Sequence, residues 1–90
     1  MNLSTHGAVA QRVAMELWPL AEYLDACEAG LVEMDACRYR TAVQQAKALI
    51  TANLRSMHVQ ELCKNSWALD DILEDLLLAE EQNYSAAATL

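Results

Sequence analysis

Phenylalanine is missing from this 90-residue chain, and glycine and proline occur only twice and once. So few chain breakers exclude a collagen-like repeat and a low-complexity coil, and three cysteines are too few for a disulfide-stabilised secreted scaffold. Basic residues are also scarce, six against thirteen acidic ones, which gives a net charge of −7. A protein that binds nucleic acid over its whole surface is expected to be basic, so we expect no nucleic-acid partner.

Long apolar runs are lacking as well. Residues 1–7 carry no basic region followed by an apolar stretch, so we predict no signal peptide. Charged residues interrupt every apolar stretch before it reaches the roughly 20 residues that a membrane-spanning helix needs. An odd number of cysteines without framework spacing fits a reducing compartment. We therefore expect a cytoplasmic protein that does not enter a membrane.

Apolar residues are abundant, at 54% of the chain, with alanine and leucine prominent and few β-branched residues. This composition predicts an all-α fold. Helical spacing predicts three helices, at about residues 5–29, 35–57 and 66–84, and a frayed tail at 85–90. We expect a single domain over residues 1–90, folded as a small up-down-up three-helix bundle in which a helical hairpin packs on the third helix.

Local signals place the ends and irregularities of these helices. Pro19 lies inside the first helix and predicts a kink or a break there, because proline lacks a backbone N–H and crowds the preceding turn. Asp35 is the expected N-cap of the second helix, and Asn65 or Ser66 that of the third. A short helical turn through residues 59–64 is expected between the last two helices.

Charge is divided by helix. Residues 5–29 contain one base and four acids, whereas residues 66–84 contain six acids and no base. The middle segment, residues 36–57, has no acid and four bases: Arg38, Arg40, Lys47 and Arg55. Opposite charges on neighbouring helices favour one packing order, although each exposed pair contributes only about 0.2–1 kcal/mol.

We find no catalytic or cofactor-binding motif. Two glycines cannot build a phosphate-binding loop, and the chain has no GxSxG or HExxH pattern. Cys27, Cys37, His58 and Cys63 are the only metal candidates, but their spacing matches no zinc site, and the first two cysteines lie on different faces of their helices. We therefore predict no catalytic residue, no cofactor and no metal ligand.

Several apolar residues fall outside the helical stripes that a core would use. Met15 and Trp18 lie off the stripe of the first helix, and Trp67 and Leu78 lie opposite that of the third. Asn53, on the apolar edge of the second helix, is a further candidate because a polar residue at such a seam can fix an oligomer's register. These residues predict an interface and a homodimer. Burial of both tryptophans within one chain is the alternative.

The leading hypothesis is a non-enzymatic helical interaction protein, similar in action to an adaptor, that binds a protein partner and forms a homodimer. The alternative is an acidic inhibitor or nucleic-acid mimic that occupies a basic protein. Its acidic face would consist of Asp70, Asp71, Glu74, Asp75 and Glu81. A second alternative is a metal or thiol-redox protein, with Cys37 beside Arg38 as its reactive thiol.

Overall fold

Helices make up all the regular structure of the described chain. A computed structural model describes the backbone of residues 4–89 and the side chains of residue 9 and residues 11–83. Four helices replace the three predicted ones: α1 Ser4–Glu28, α2 Ala36–Ala52, α3 Met57–Cys63 and α4 Trp67–Thr89. No strand occurs in this part of the chain, so the predicted all-α class is confirmed. Within the same residues, none of the helices combines the length and the apolarity needed to cross a membrane.

Pro19 lies inside α1 and does not divide it. Proline leaves one carbonyl group of the preceding turn without its usual donor. Pro19 is exposed, so water can reach this side of the helix and hydrogen-bond the freed carbonyl. The alternative of a break at Pro19 is therefore wrong, and the kink stays a prediction.

A left-handed glycine closes α1 and an aspartate begins α2. Gly30 has a φ of +72°, and the N–H of Leu31 donates to the carbonyl of Ala26 at 2.9 Å. This arrangement satisfies a carbonyl group at the end of the helix. As predicted, Asp35 is the N-cap of α2, and its carboxylate accepts a hydrogen bond from the N–H of Cys37 at 3.0 Å.

The second helix is shorter than its predicted range of 35–57. It ends at Ala52 because Asn53 leaves helical geometry, with a φ of −126°, and turns its side-chain amide back to a carbonyl one turn earlier, at 2.8 Å. Ser56 then begins α3, since its hydroxyl accepts a hydrogen bond from the N–H of Val59 at 3.3 Å. Two polar side chains that bond nearby backbone thus end α2 before residue 57 and start α3, which lies where the short helical turn at residues 59–64 was expected.

Ser66, one of the two predicted caps, begins α4. Its hydroxyl accepts a hydrogen bond from the N–H of Leu69 at 3.2 Å. The helix continues to Thr89, so residues 85–89, predicted to fray, have helical backbone, and Leu90 lies outside the described residues. The three alanines of that segment have the highest helix propensity of any residue, which accounts for the extension.

The direction of α4 differs from the prediction. α1 and α2 form an antiparallel hairpin, as expected. The N–H of Ala68, at the start of α4, donates to the carboxylate of Asp25 near the end of α1 at 3.0 Å. Farther along α4, Glu80 pairs with Arg55, just after α2, at 3.0 Å. α4 therefore runs in the same direction as α2, because α3, which packs against α1 and α4, and its flanking turns carry the chain back toward the end of α1. The up-down-up order is wrong.

One buried cluster joins the four helices. Its largest fully buried side chains are Leu17, Leu24, Ile50, Val59, Cys63, Leu69 and Leu73. The chain measures 45 × 43 × 19 Å with a radius of gyration of 14.8 Å, whereas a compact domain of this length has a radius of about 12 Å. The excess arises because α1 and α4 extend beyond the cluster. Every side chain of residues 77–83 is exposed.

Candidate interaction surface

α4 has a buried face and an exposed face. Ala68, Leu69 and Leu73 are buried against the other helices, and Ile72 and Leu76 are half-buried beside them. On the opposite side, five exposed residues follow one another at intervals of four, three, four and three residues, which places them in one row along the helix. We call this row the α4 outer strip: Trp67, Asp71, Glu74, Leu78 and Glu81.

Two hydrogen bonds at the start of α4 fix which side faces outward. The carboxylate of Asp25 accepts from the N–H of Ala68, and the hydroxyl of Ser66 accepts from the N–H of Leu69. Ser66 is buried and Asp25 is half-buried, so both acceptors are held by surrounding structure. Together they satisfy two of the free N–H groups of the helix terminus and leave Trp67 facing solvent.

The candidate interface residues on α1 and α4 are exposed in the single chain. Trp67 is 75% exposed, Leu78 55% and Met15 72%, while Trp18 is 38% exposed. The alternative in which the chain itself buries both tryptophans is therefore wrong for Trp67 and holds only in part for Trp18. Their contact with another molecule stays a prediction.

The acidic residues of α4 cluster on the outer side. Asp70, Asp71, Glu74, Asp75 and Glu81 fall within an arc of about 140° at 100° per residue. All are exposed except Asp70, which is half-buried. Among the described side chains, the only ion pair is Arg55–Glu80, and Glu80 lies outside this arc. The five outer carboxylates are therefore free of basic partners in the described part of the chain.

α2 carries a matching row of opposite charge. Arg40, Gln44, Lys47 and Thr51 follow at intervals of four, three and four residues, and all are exposed. We call this row the α2 basic stripe. Arg38 lies on another side of α2, where its guanidinium group is 4.3 Å from the centroid of the Tyr23 ring, a cation–π contact.

An open cleft of about 490 Å³ lies where Tyr23 and Arg38 meet, between α1 and α2. The hydroxyl oxygen of Tyr23 is buried and has no hydrogen-bond partner among the described groups. Desolvation by burial raises the pKa of Tyr23, and the nearby Cys27 thiol raises it further. Asp35 and Cys37 also line this cleft, but the Asp35 carboxylate is engaged in capping α2, where it accepts hydrogen bonds from the N–H groups of Cys37 and Arg38.

The cysteines do not form a common site. Cys27 and Cys63 are buried, whereas Cys37 is exposed in the first turn of α2. Burial raises the pKa of the Cys63 thiol to about 11, with a smaller contribution from Asp70, so this thiol is protonated at neutral pH and weakly reactive. Across the described residues, no group of three or more histidine, cysteine, aspartate or glutamate side chains is arranged to hold a metal ion.

Asn53 has a local role that the sequence did not reveal. It is the C-cap of α2, and its amide donates to the carbonyl of Leu49. The α1–α2 loop exposes three apolar residues that are not among the predicted interface residues: Leu31, Val32 and Met34. They could have been found, because they lie between Gly30 and the N-cap of α2, outside any helical stripe.

No family model, curated protein or solved structure matches this chain.

Proposed function

We propose that this chain is a non-enzymatic interaction protein that binds protein chains through exposed helix faces and forms a homodimer. The proposal depends on Trp67, a large aromatic side chain at the start of α4 that is three-quarters exposed. Tryptophan is enriched among the residues that contribute most to protein–protein binding, because its large ring buries much apolar area at little entropic cost. In a single chain, that area stays in water.

The size and shape of the chain support the same proposal. A domain of 90 residues buries only roughly 60–65% of the surface that its unfolded chain exposes, so added burial in an oligomer is a strong stabilising term. The distal part of α4, residues 77–83, is exposed throughout although it contains Leu77 and Leu78. A second chain on the α4 outer strip would cover Leu78.

Sedimentation equilibrium over a range of concentrations tests the proposal. The wild type is expected to reach the mass of two chains at tens of micromolar. Trp67→Ala should weaken the dimer by tenfold or more, in the range of about 2 kcal/mol typical of a central aromatic contact. Met57→Ala is the matched control, since Met57 is 73% exposed but lies at the start of α3. A wild type that stays a single chain would contradict the homodimer.

The one-sided acidic arc favours a second candidate, an acidic inhibitor that occupies the nucleic-acid groove of a basic protein. Trp67 and Leu78 lie in the middle of the arc, where a mimic of phosphates would carry charge, and so they favour the first candidate. The test is displacement of duplex DNA from a basic DNA-binding protein at increasing salt. An inhibitor displaces DNA at low salt and loses this ability in Glu74→Lys/Glu81→Lys. Absence of displacement by the wild type would rule this candidate out.

A further inference from the structure

The outer acids of α4 and the bases of α2 form two complementary surfaces that do not meet within one chain. The α4 outer strip faces away from the buried cluster, and the α2 basic stripe lies outside the buried face formed by Ala42, Ala46 and Ile50. Arg55–Glu80 is the only pair between α4 and the bases of the middle segment among the described side chains. Arg40, Lys47 and the other carboxylates of α4 have no ion-pair partner among the described side chains.

The two rows also match in spacing. Arg40 and Lys47 are seven residues apart, as are Glu74 and Glu81, so each pair spans about 10.5 Å along its helix. In an antiparallel register, Glu74 meets Lys47 and Glu81 meets Arg40. Leu78 then lies at the level of Val43.

The same register extends to Trp67. Continuing it toward the end of α2 places Trp67 just beyond Ala52, at the turn that contains Leu54. Val43 and Leu54 are both half-buried, so each has apolar surface left to cover. Antiparallel helices also bring opposite ends of the helix dipoles together, which favours this direction.

We infer that the partner of the α4 outer strip is the α2 basic stripe of a second copy of this chain, with the same contact made reciprocally about a two-fold axis. This inference rests on the proposed homodimer and specifies its faces. Pairing of the α4 outer strip with the same strip of a second copy would place its three carboxylates, Asp71, Glu74 and Glu81, against the same three, which like-charge repulsion opposes. A two-fold arrangement uses both helices of each copy, as a closed dimer requires.

Charge reversal tests this pairing. Arg40→Glu/Lys47→Glu and Glu74→Lys/Glu81→Lys, each measured alone by sedimentation equilibrium, are expected to raise the dimer dissociation constant about tenfold or more, because each reversal places like charges together in both contacts. An equimolar mixture of the two variants should recover the wild-type constant within about threefold, because every contact in the mixed dimer again joins opposite charges. Circular dichroism establishes that each variant is folded.

The control is Glu22→Lys/Glu28→Lys. It changes the net charge by the same amount as Glu74→Lys/Glu81→Lys, but on exposed residues of α1, and should leave the dimer unchanged. If both charge-reversed variants have the dimer dissociation constant of the wild type, the inference about the two faces is overturned, while the homodimer itself is not. Loss of the dimer only in Glu74→Lys/Glu81→Lys, without recovery in the mixture, would also overturn it and indicate a different surface against α4. A wild type that is a single chain would refute the homodimer itself.

Discussion

Asp25→Ala removes the contact that fixes the start of α4 on α1. The Asp25 carboxylate accepts a hydrogen bond from the N–H of Ala68 at 3.0 Å and lies near the positive end of the α4 dipole. A hydrogen bond to a charged group contributes about 1.5–3 kcal/mol, so we expect a loss of about 2 kcal/mol of unfolding free energy. For a domain of this size, that loss lowers Tm by roughly 8–16 °C. Urea and thermal unfolding followed by circular dichroism measure both quantities at one fixed protein concentration, since association also adds stability.

Two further variants separate this hydrogen bond from a general effect of charge. Glu22→Ala removes an exposed acid from the same helix and should change the unfolding free energy by less than about 0.5 kcal/mol. Asp25→Asn keeps an acceptor oxygen without the charge and should lie between the wild type and Asp25→Ala. Equal losses in Asp25→Ala and Glu22→Ala would show that the Asp25 carboxylate does not anchor α4.

Two other perturbations follow from single features of the fold. Gly30→Ala should lower the free energy of unfolding by about 1–2 kcal/mol, because φ is +72° at this position; an added Cβ would meet nothing within 4 Å, so the cost is confined to the backbone. Gly30→Asn should lower it less. Equal stability of the wild type and both variants in urea unfolding would contradict this expectation. Burial raises the pKa of Cys63 from 9.0 to about 11 in the folded protein. The stability that its neutral thiol contributes is therefore fully present below pH 9 and is lost between pH 9 and 11, by up to about 2–3 kcal/mol. The loss measured by urea unfolding should be smaller in Cys63→Ala and unchanged in Cys37→Ala, and three parallel pH profiles would contradict the assignment.

The sequence predicts the helix faces well because burial follows local periodicity. The spacing of α1 predicts a buried stripe of Val9, Val13, Leu17, Leu20, Leu24 and Cys27. Four of these residues are buried, Leu20 is half-buried and Val9 is exposed, and the residues placed opposite the stripe of the last helix are exposed in α4. Of the predicted acidic face, only Asp70 is half-buried. These features depend on positions within one helix, which spacing alone determines.

The order of the helices could not be predicted in the same way. The direction of α4 depends on Asp25 meeting Ala68, forty-three residues later in the chain, and on Ser56 starting a separate helix. Neither contact leaves a periodic signal in the sequence. The pairing of acidic and basic helices was expected within one chain, yet the described residues form only the Arg55–Glu80 pair. The charges of the α4 outer strip and the α2 basic stripe thus remain available for contacts between copies.

In the proposed dimer, another chain covers the face of α4 that contains Trp67. In the Trp18→Phe variant Trp67 is the only tryptophan, so acrylamide quenching of its fluorescence from nanomolar to high micromolar protein concentration measures this cover. We expect strong quenching at low concentration and protection of Trp67 as the dimer forms. Equal quenching across the whole range, with Trp67 as accessible at high concentration as its 75% exposure in the single chain implies, would contradict it.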